Sequence, residues 1–312
     1  MKPEILTLTH EIAGDALRQL DEDYVNHVVW NLPDPEATIG AVAPRVRAIA
    51  TSGHKGASAA LIERLPKLEI IGCFGVGVDA IDLEAARRRG VAVTNTPDVL
   101  TDAVAELAIG LLLAAARRIA TGDRFVRAGK WLDGPPPLAT KASGTRLGIL
   151  GMGRIGRAIA ELAAAFGMTI AYHGPRPKDV PYRYCDRLDA LAADVDFLVV
   201  ACPGGAATRH LVDARVLAAL GPKGTLVNVS RGSVVDEAAL VEALQDGTLG
   251  GAALDVFADE PRVPAPLLAM DNVVLSPHAG SATHATRGAM GQLVVDNLRA
   301  HFAGRPLLTR IV

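Results

Sequence analysis

Cysteine is scarce in this chain of 312 residues: Cys73, Cys185 and Cys202 are its three, odd in number and far apart, and no CxxC pair occurs. A disulfide framework or a zinc site is therefore not expected; buried, reduced thiols in a cytoplasmic setting are. An excess of charge of either sign is also missing, since 32 basic and 34 acidic residues leave a net −2. That balance gives no global reason to expect nucleic acid or an anionic membrane as partner. The opening stretch, MKPEILTLTH, lacks the apolar core of a secretory signal. The greasiest helical stretch, Ala103 to Ala116, contains Glu106 and is too short to span a bilayer, so no membrane segment is expected. There is no repeat and no low-complexity tract; Pro135 to Pro137 is a local rigid loop. With half its residues hydrophobic, the chain can bury a sizeable core, and its length suits about two domains.

The most informative stretch is Thr145 to Pro177, TRLGILGMGRIGRAIAELAAAFGMTIAYHGPRP. Leu147 to Leu150 predicts a short strand, and Gly151, Gly153 and Gly156 follow at once. Ile155, Ala158, Ile159, Leu162, Ala163 and Phe166 then recur at helical spacing, Gly167 ends the helix, and Thr169 to Tyr172 starts a second strand. In such a unit the first glycine permits a tight turn, the second lets a pyrophosphate approach the backbone, and the third lets helix pack on strand. Unpaired N–H groups and the positive end of the helix dipole then face the phosphates. A glycine turn without a ligand is the bland alternative, but legible strands and helix on both sides favour dinucleotide binding. No lysine of the GK[ST] type is present, because Arg154 and Ile155 stand there.

An acid is missing where the second strand ends. An NAD-specific unit places one there for the ribose hydroxyls, whereas this chain offers His173, Gly174, Pro175 and Arg176. Arg176 can pair with a 2′-phosphate, with help from Lys178. Asp179, the alternative ribose ligand, falls several residues past the strand. The expectation is NADPH in preference to NADH.

Before this unit, strands are predicted at Ile5 to Leu8, Ala48 to Ala50, Leu68 to Ile71 and Val91 to Thr94, and helices at Ala13 to Leu20, Leu61 to Leu65 and Leu83 to Arg89. Their alternation argues for a parallel sheet. A helix capped by Thr101 or Asp102 is predicted to run through Arg118; being apolar nearly all round, it must be buried on several sides, by one core or by a partner subunit. Further on, strands are predicted at Phe197 to Ala201, Thr225 to Val229, Gly251 to Val256 (carrying Asp255) and Val273 to Leu275. A helix from about Ala285 to Phe302 follows, and the tail Leu307 to Val312 is expected to return to the first domain.

Cys202, Pro203, Ser230, Arg231, Asp255 and His278 all fall at or just beyond strand carboxyl ends, the edge along which open α/β sheets bind ligands. Among them Arg231 has the fork that matches a carboxylate and can polarise a carbonyl. His278 has the intrinsic pKa range of a general acid, and Glu260 can orient it and favour its charged form. Taken singly, each has a bland reading: a structural ion pair for Arg231, an ordinary turn in ADEP for Glu260, one histidine of eight for His278. His284, six residues on, lacks the spacing of a helical metal pair, and no metal is expected.

Together these segments resemble the D-2-hydroxyacid dehydrogenase family over essentially the whole chain. The resemblance rests on GVGVDAID (Gly75 to Asp82), TNTPDVLTDAVAELAIGLLL (Thr94 to Leu113), GMGRIG (Gly151 to Gly156), NVSRGSVVDEAAL (Asn228 to Leu240), ALDVFADEP (Ala253 to Pro261) and SPHAGSAT (Ser276 to Thr283), in that order. It implies two doubly wound parallel-sheet α/β domains: a smaller flavodoxin-like substrate domain of residues 1–98 with 286–312, and a Rossmann NAD(P)-binding domain of residues 99–285. It carries the family's catalytic arginine, glutamate and histidine onto Arg231, Glu260 and His278; formate dehydrogenases of the family have Gln for the glutamate, so Glu260 argues against that branch. Cofactor contacts are implied for Gly151, Met152, Gly153, Arg154, Ile155, Gly156, His173, Gly174, Pro175, Arg176, Cys202, Pro203, Thr208, Val229, Ser230, Arg231, Asp255, His278 and Gly280, with Asp255 on the nicotinamide carboxamide. Substrate contacts are implied for Ser52, Gly53, Val76, Gly77, Arg231 and His278. In the hydroxypyruvate-reducing branch a tryptophan from the partner's loop approaches the substrate, and Trp131 in GKW is similar, though a plain aromatic dimer contact is as good a reading. A homodimer built around the helix that starts near Asp102 is implied as well.

The expected activity is reduction of a small 2-oxo acid by NADPH, with glyoxylate to glycolate and hydroxypyruvate to D-glycerate leading. Reduction of a bulkier acid such as hydroxyphenylpyruvate, phosphoglycerate dehydrogenation, and a nucleotide-sensing corepressor role without turnover are the rivals.

Overall fold

The computed structural model describes residues 2–312. They form two compact units, one made of the residues up to Leu100 together with Thr283–Val312, the other of Thr101–Ala282.

The first unit is built on strands β1 (Glu4–Thr7), β2 (Val25–Val28), β3 (Val46–Ser52), β4 (Ile70–Phe74) and β5 (Ala92–Thr94), in the order β2-β1-β3-β4-β5. Every pairing is parallel, and the order is that of flavodoxin-like sheets. Parallel strands need helices on both faces, so the central ones read as continuous apolar runs; β4, IIGCF, is buried at every position. The helix His284–Phe302 lies on β4, where Gly72 leaves the room that Val294 uses. The tail does return to this unit: Ile311 N–H donates to the Val93 carbonyl at 2.7 Å, and Arg310 bridges Thr94.

The second unit holds β6 (Arg146–Leu150), β7 (Thr169–His173), β8 (Arg183–Tyr184), β9 (Phe197–Val200), β10 (Thr225–Asn228), β11 (Gly251–Leu254) and β12 (Val273–Leu275). Their order is β12-β11-β10-β9-β6-β7-β8, again all parallel. Strand order reverses between β6 and β9, the topological switch point where doubly wound sheets bind dinucleotides. Strands β9 and β11 are buried throughout. The helix Thr101–Ala116 packs on β10, β11 and the helix Arg154–Ala165.

Some sequence expectations need correction. The apolar helix does not run through Arg118; it stops at Ala116, Arg118 takes a left-handed backbone (φ 53°), and a separate helix, Ile119–Arg127, begins. Nor is it buried all round within this chain: Val104, Ala105, Ala108, Ile109, Leu111 and Leu112 are covered, while Leu107 and Leu113 are partly open and Glu106 and Gly110 exposed. Strands β9, β10 and β11 each end one or two residues early, so Ala201, Val229 and Asp255 belong to the loops that follow. Strand β4 starts two residues late and runs on to Phe74. Among the described residues no helix is long and apolar enough to cross a membrane.

Candidate active site

Three consecutive loops at the carboxyl edge of the second sheet build the centre of the site. The first follows β10. Asn228, the strand's last residue, is buried and folds its amide back over the loop. Its Nδ2 donates to the Arg231 carbonyl (3.0 Å), and its Oδ1 accepts from the amide and hydroxyl of Ser230 (3.1 and 3.2 Å). Arg231 is thus launched from a fixed backbone, with its Nη1 donating to the Ser230 carbonyl at 2.7 Å. Gly232 follows, and any Cβ there would fall 1.9 Å from the Phe257 carbonyl carbon, so this loop lies directly on the next one.

The second loop follows β11. Asp255 is only 1% exposed. Its Oδ1 accepts from the Ser276 hydroxyl (2.6 Å) and the Ala279 amide (2.7 Å), and its Oδ2 from the Gly280 amide (2.9 Å). Its backbone carbonyl accepts the His278 N–H at 2.8 Å. One buried carboxylate residue therefore ties down the whole Ser276 to Gly280 turn. A buried carboxylate needs such donors, since unsatisfied burial of its charge is costly.

Five residues on, Glu260 uses both oxygens. Oε1 accepts the Phe257 amide at 3.0 Å, and Oε2 meets His278 Nδ1 at 2.6 Å. Glu237 supports the same loop by accepting the Ala258 amide at 3.0 Å.

The third loop follows β12 and carries His278 with a left-handed backbone, φ 52°. A non-glycine residue there costs about 1–3 kcal/mol and persists only where its surroundings over-determine it; the bonds to Asp255 do so here. Nδ1 is committed to Glu260, which fixes the orientation of the ring and distinguishes its two nitrogens. The Glu260 hydrogen bond holds the His278 pKa above its ordinary value; burial and the positive charge of Arg231 oppose the shift without cancelling it. The side chain is 40% exposed and that of Glu260 15%, so the imidazole reaches solvent while its supporting carboxylate is largely covered. A guanidinium beside an imidazole whose protonated form is favoured can hold a carboxylate and give a proton to an oxygen next to it.

The glycine turn lies at the switch point of the same sheet. Gly151 has φ 103°, and a Cβ on it would come within 2.7 Å of the Cys202 backbone, so the loops after β6 and β9 touch. A Cβ on Gly156 would lie 2.0 Å from the Gly151 carbonyl oxygen, which seats the helix on the turn. Gly153 has open space where its Cβ would be, and as N-cap it offers no side chain to the first N–H groups of the helix Arg154–Ala165. Two glycines serve packing and the third leaves a free approach to uncapped donors, which fits a pyrophosphate. Met152 is buried beneath the turn. The loop after β9 is set by Thr208, whose hydroxyl donates to the Pro203 carbonyl at 2.7 Å. Burial pushes the Cys202 thiol up to about 11, so it stays protonated and is no nucleophile.

At the end of β7, His173 Nδ1 donates to the Cys185 carbonyl (2.9 Å), and Pro175, Arg176, Pro177 and Lys178 are exposed. Among the described residues neither the Arg176 guanidinium nor the Lys178 ammonium has a hydrogen-bond or salt-bridge partner. Both are available to an anion.

The remaining predicted residues are arranged as follows. Ser52 ends β3 and Val76 and Gly77 follow β4, so these and Gly53 stand at the carboxyl edge of the first sheet. There Gly53 N–H reaches the Phe74 carbonyl at 3.4 Å, Gly75 N–H donates to Thr96 Oγ1 at 2.9 Å, and Asn95 Nδ2 donates to the Val76 carbonyl at 2.9 Å. Trp131 sits exposed on a short 3-10 turn, Lys130–Asp133. Asn228, Ser276 and Glu237 escaped sequence reasoning as supports of the site. Their signal was adjacency: Asn228 closes the strand before Arg231, and Ser276 opens the SPH turn.

A parallel sheet of this order, with a glycine cradle at its switch point and an arginine and a carboxylate-backed histidine on neighbouring loops, defines a nicotinamide-dependent oxidoreductase. A family model described as the NAD binding domain of D-isomer specific 2-hydroxyacid dehydrogenases matches residues 109–280. The chain is 51% identical over 284 residues, 91% of each chain, to glyoxylate/hydroxypyruvate reductase A HPR2 of Arabidopsis thaliana. It is 50% identical over 296 residues, 95% of each, to hydroxyphenylpyruvate reductase of Plectranthus scutellarioides. Among solved structures it is similar to the NADPH-dependent glyoxylate/hydroxypyruvate reductase of Sinorhizobium meliloti in complex with NADP and malonate, with a TM-score of 0.92 and 44% identity over 100% of this chain and 97% of that one. The chain belongs to the D-isomer specific 2-hydroxyacid dehydrogenase family and is an NAD(P)-dependent enzyme of that class.

Proposed function

We propose that this enzyme reduces small 2-oxo acids with NADPH, glyoxylate to glycolate and hydroxypyruvate to D-glycerate. The observation that carries the reading is the pairing of His278 with Glu260 on the loop next to that of Arg231. Arg231 holds the substrate carboxylate through its fork and draws charge from the neighbouring carbonyl. His278 gives its Nε2 proton to the carbonyl oxygen as negative charge develops there, and Glu260 favours the protonated imidazole that does so. Ser52, Gly53 and the Val76–Gly77 backbone are the proposed further contacts to the acid. Bound NADPH supplies the hydride that the carbonyl carbon accepts.

The turn Gly151 to Gly156 takes the pyrophosphate, with the loop of Cys202, Pro203 and Thr208 opposite. Asp255, Val229, Ser230 and Gly280 are assigned to the nicotinamide end, and His173 to Arg176 to the adenosine end. Preference for NADPH rests on the absence of an acid directly at the end of β7 and on Arg176 and Lys178, whose charged groups have no partner among the described residues. On this reading the second unit is the NAD(P)-binding domain and the first the substrate domain.

The protein is further proposed to act as a cytoplasmic homodimer. Its three cysteines are buried and in the thiol form, as suits a reducing compartment. The partly open apolar side of the helix Thr101–Ala116 and the exposed Ile119, Val126, Trp131, Leu132 and Leu138 suit a subunit interface. Trp131 would reach the partner's substrate from there.

The decisive experiment is a panel of 2-oxo acids assayed with NADPH and with NADH. Glyoxylate and hydroxypyruvate should give the highest kcat/KM, and with NADPH. A hydroxyphenylpyruvate optimum would transfer the assignment to the bulkier acid, which the 50% identity to a reductase of that name keeps in view. No turnover with any of them would leave only a binding role.

A further inference from the structure

We propose that Tyr172 and Tyr184 are positioning residues that hold the turn from Gly174 to Lys178 in the shape Arg176 needs to grip a 2′-phosphate. The inference rests on the NADPH reading and adds the means by which the preference is built.

The turn has the sequence GPRPK, and its two prolines have no N–H to offer. It cannot tie itself down by a run of backbone bonds. Two phenols do so instead. Tyr172, fully buried in β7, accepts the Lys178 N–H on its hydroxyl oxygen at 2.7 Å and donates its own proton to the Lys178 carbonyl at 3.3 Å. Both capacities of one hydroxyl are thus spent on the residue that closes the turn. Tyr184, on the edge strand β8, donates to the Gly174 carbonyl at 3.0 Å, the residue that opens it. The two rings lie against each other, with centroids 5.4 Å apart. The Cys185 N–H donates to the Tyr172 carbonyl at 2.8 Å, which keeps β8 beside β7 and Tyr184 in reach.

Both ends of the turn are therefore pinned, and Pro175 to Pro177 projects between them into solvent. Proline fixes φ on either side of Arg176, so the anchored ends decide where that guanidinium starts. A long side chain that begins from a defined backbone loses less freedom when it closes on a phosphate. The adenosine half shared by NADH and NADPH needs no such precision from Arg176. Loosening the clamp should cost the phosphate contact and little else.

The test uses Tyr172→Phe and Tyr184→Phe, each of which deletes one oxygen and keeps the ring. Cofactor-free protein is titrated calorimetrically with 2′,5′-ADP and with 5′-ADP, and kcat/KM is measured with NADPH and NADH. Each variant should bind 2′,5′-ADP about five- to tenfold more weakly, the loss of a turn-anchoring hydrogen bond, with 5′-ADP affinity and NADH kinetics changed less than about twofold. Equal losses for both nucleotides, or no loss for either, would overturn the clamp. Arg176→Ala, run beside them, separates the two ideas. A selective loss there with both phenylalanine variants silent removes the clamp alone, whereas no selective loss in Arg176→Ala removes the phosphate reading and the clamp with it. If Tyr172→Phe proves unfolded by circular dichroism, Tyr184→Phe at the sheet edge decides the matter by the same readings.

Discussion

Glu260 and His278 meet at 2.6 Å through Oε2 and Nδ1, and the other Glu260 oxygen is fixed by the Phe257 amide. The carboxylate is thus oriented before the imidazole needs it. Reduction of a carbonyl consumes a proton, so under the proposed mechanism the active form carries protonated His278. Because its folded pKa is raised, the alkaline fall of kcat/KM for reduction should lie above the ordinary histidine value of about 6.5. Glu260→Gln keeps the shape but removes the first cause of the shift. Burial and Arg231 are then opposed only by the charge of Asp255, the smallest of the causes, and the descending limb of the pH profile should move to lower pH. An unchanged limb in the glutamine variant would sever the link between the two residues.

His278→Ala removes the proposed proton donor itself. General acids contribute about 10²- to 10⁴-fold, so turnover of glyoxylate or hydroxypyruvate should fall by that order. NADPH affinity, measured by fluorescence titration, should change only modestly, because the glycine cradle and the β7 turn are untouched. Near wild-type turnover would exclude the acid role.

How much of this was legible in the sequence differs by element. Strands β6, β9 and β10 announced themselves because buried parallel strands are unbroken apolar runs. The glycine turn did so because close approach admits no other residue at Gly151 and Gly156. The edge strands β2 and β8 did not: VNHV is half-exposed and RY is two residues long, so neither carries a period. The end of the apolar helix at Ala116 was hidden too, since Arg117 and Arg118 are good helix formers and the break is a backbone choice. In the site, charged side chains at strand ends could be named from spacing and resemblance. Of their supports, Glu237 and Ser276 bond to loops distant in sequence, which leaves no local pattern, whereas Asn228 bonds within its own loop and had only its place before Arg231 as a signal.

The glycines of the cradle should separate folding from binding. Gly151→Ala places a methyl 2.7 Å from the Cys202 backbone at φ 103°, strained on both counts. It should lower the melting temperature of the cofactor-free protein, at a cost of about 1–3 kcal/mol. Gly153→Ala meets nothing within 4 Å. Its melting temperature should match the wild type, while its affinity for NADPH drops because the methyl occupies the pyrophosphate's approach. Full NADPH affinity in Gly153→Ala would place the phosphates elsewhere.

Arg176 supplies the next expectation. With no acid directly at the end of β7 to repel a 2′-phosphate and no partner of its own among the described residues, its removal should act on one cofactor. A charge-assisted contact is worth about 1.5–3 kcal/mol, so Arg176→Ala should lose roughly ten- to hundredfold in kcat/KM with NADPH and little with NADH. Wild-type enzyme that favours NADH from the outset would remove the premise.

Leu132 and Leu138 are 94% and 98% exposed in the single chain, close in sequence to the half-covered helix Thr101–Ala116. Two leucines left in water so fully contribute nothing to the fold of one chain, so a charge at either should leave a monomer's stability intact. In a dimer that buries them, the same charge is driven into an apolar contact and opposes association. Sedimentation velocity should therefore give twice the chain mass for the wild type. Leu132→Asp with Leu138→Asp should shift the population toward the single chain without lowering the helical signal in circular dichroism. If Trp131 reaches the partner's substrate, the dissociated variant should also show a raised KM for hydroxypyruvate. A wild type that sediments as one chain at micromolar concentration would leave these leucines unexplained and Trp131 without a substrate role.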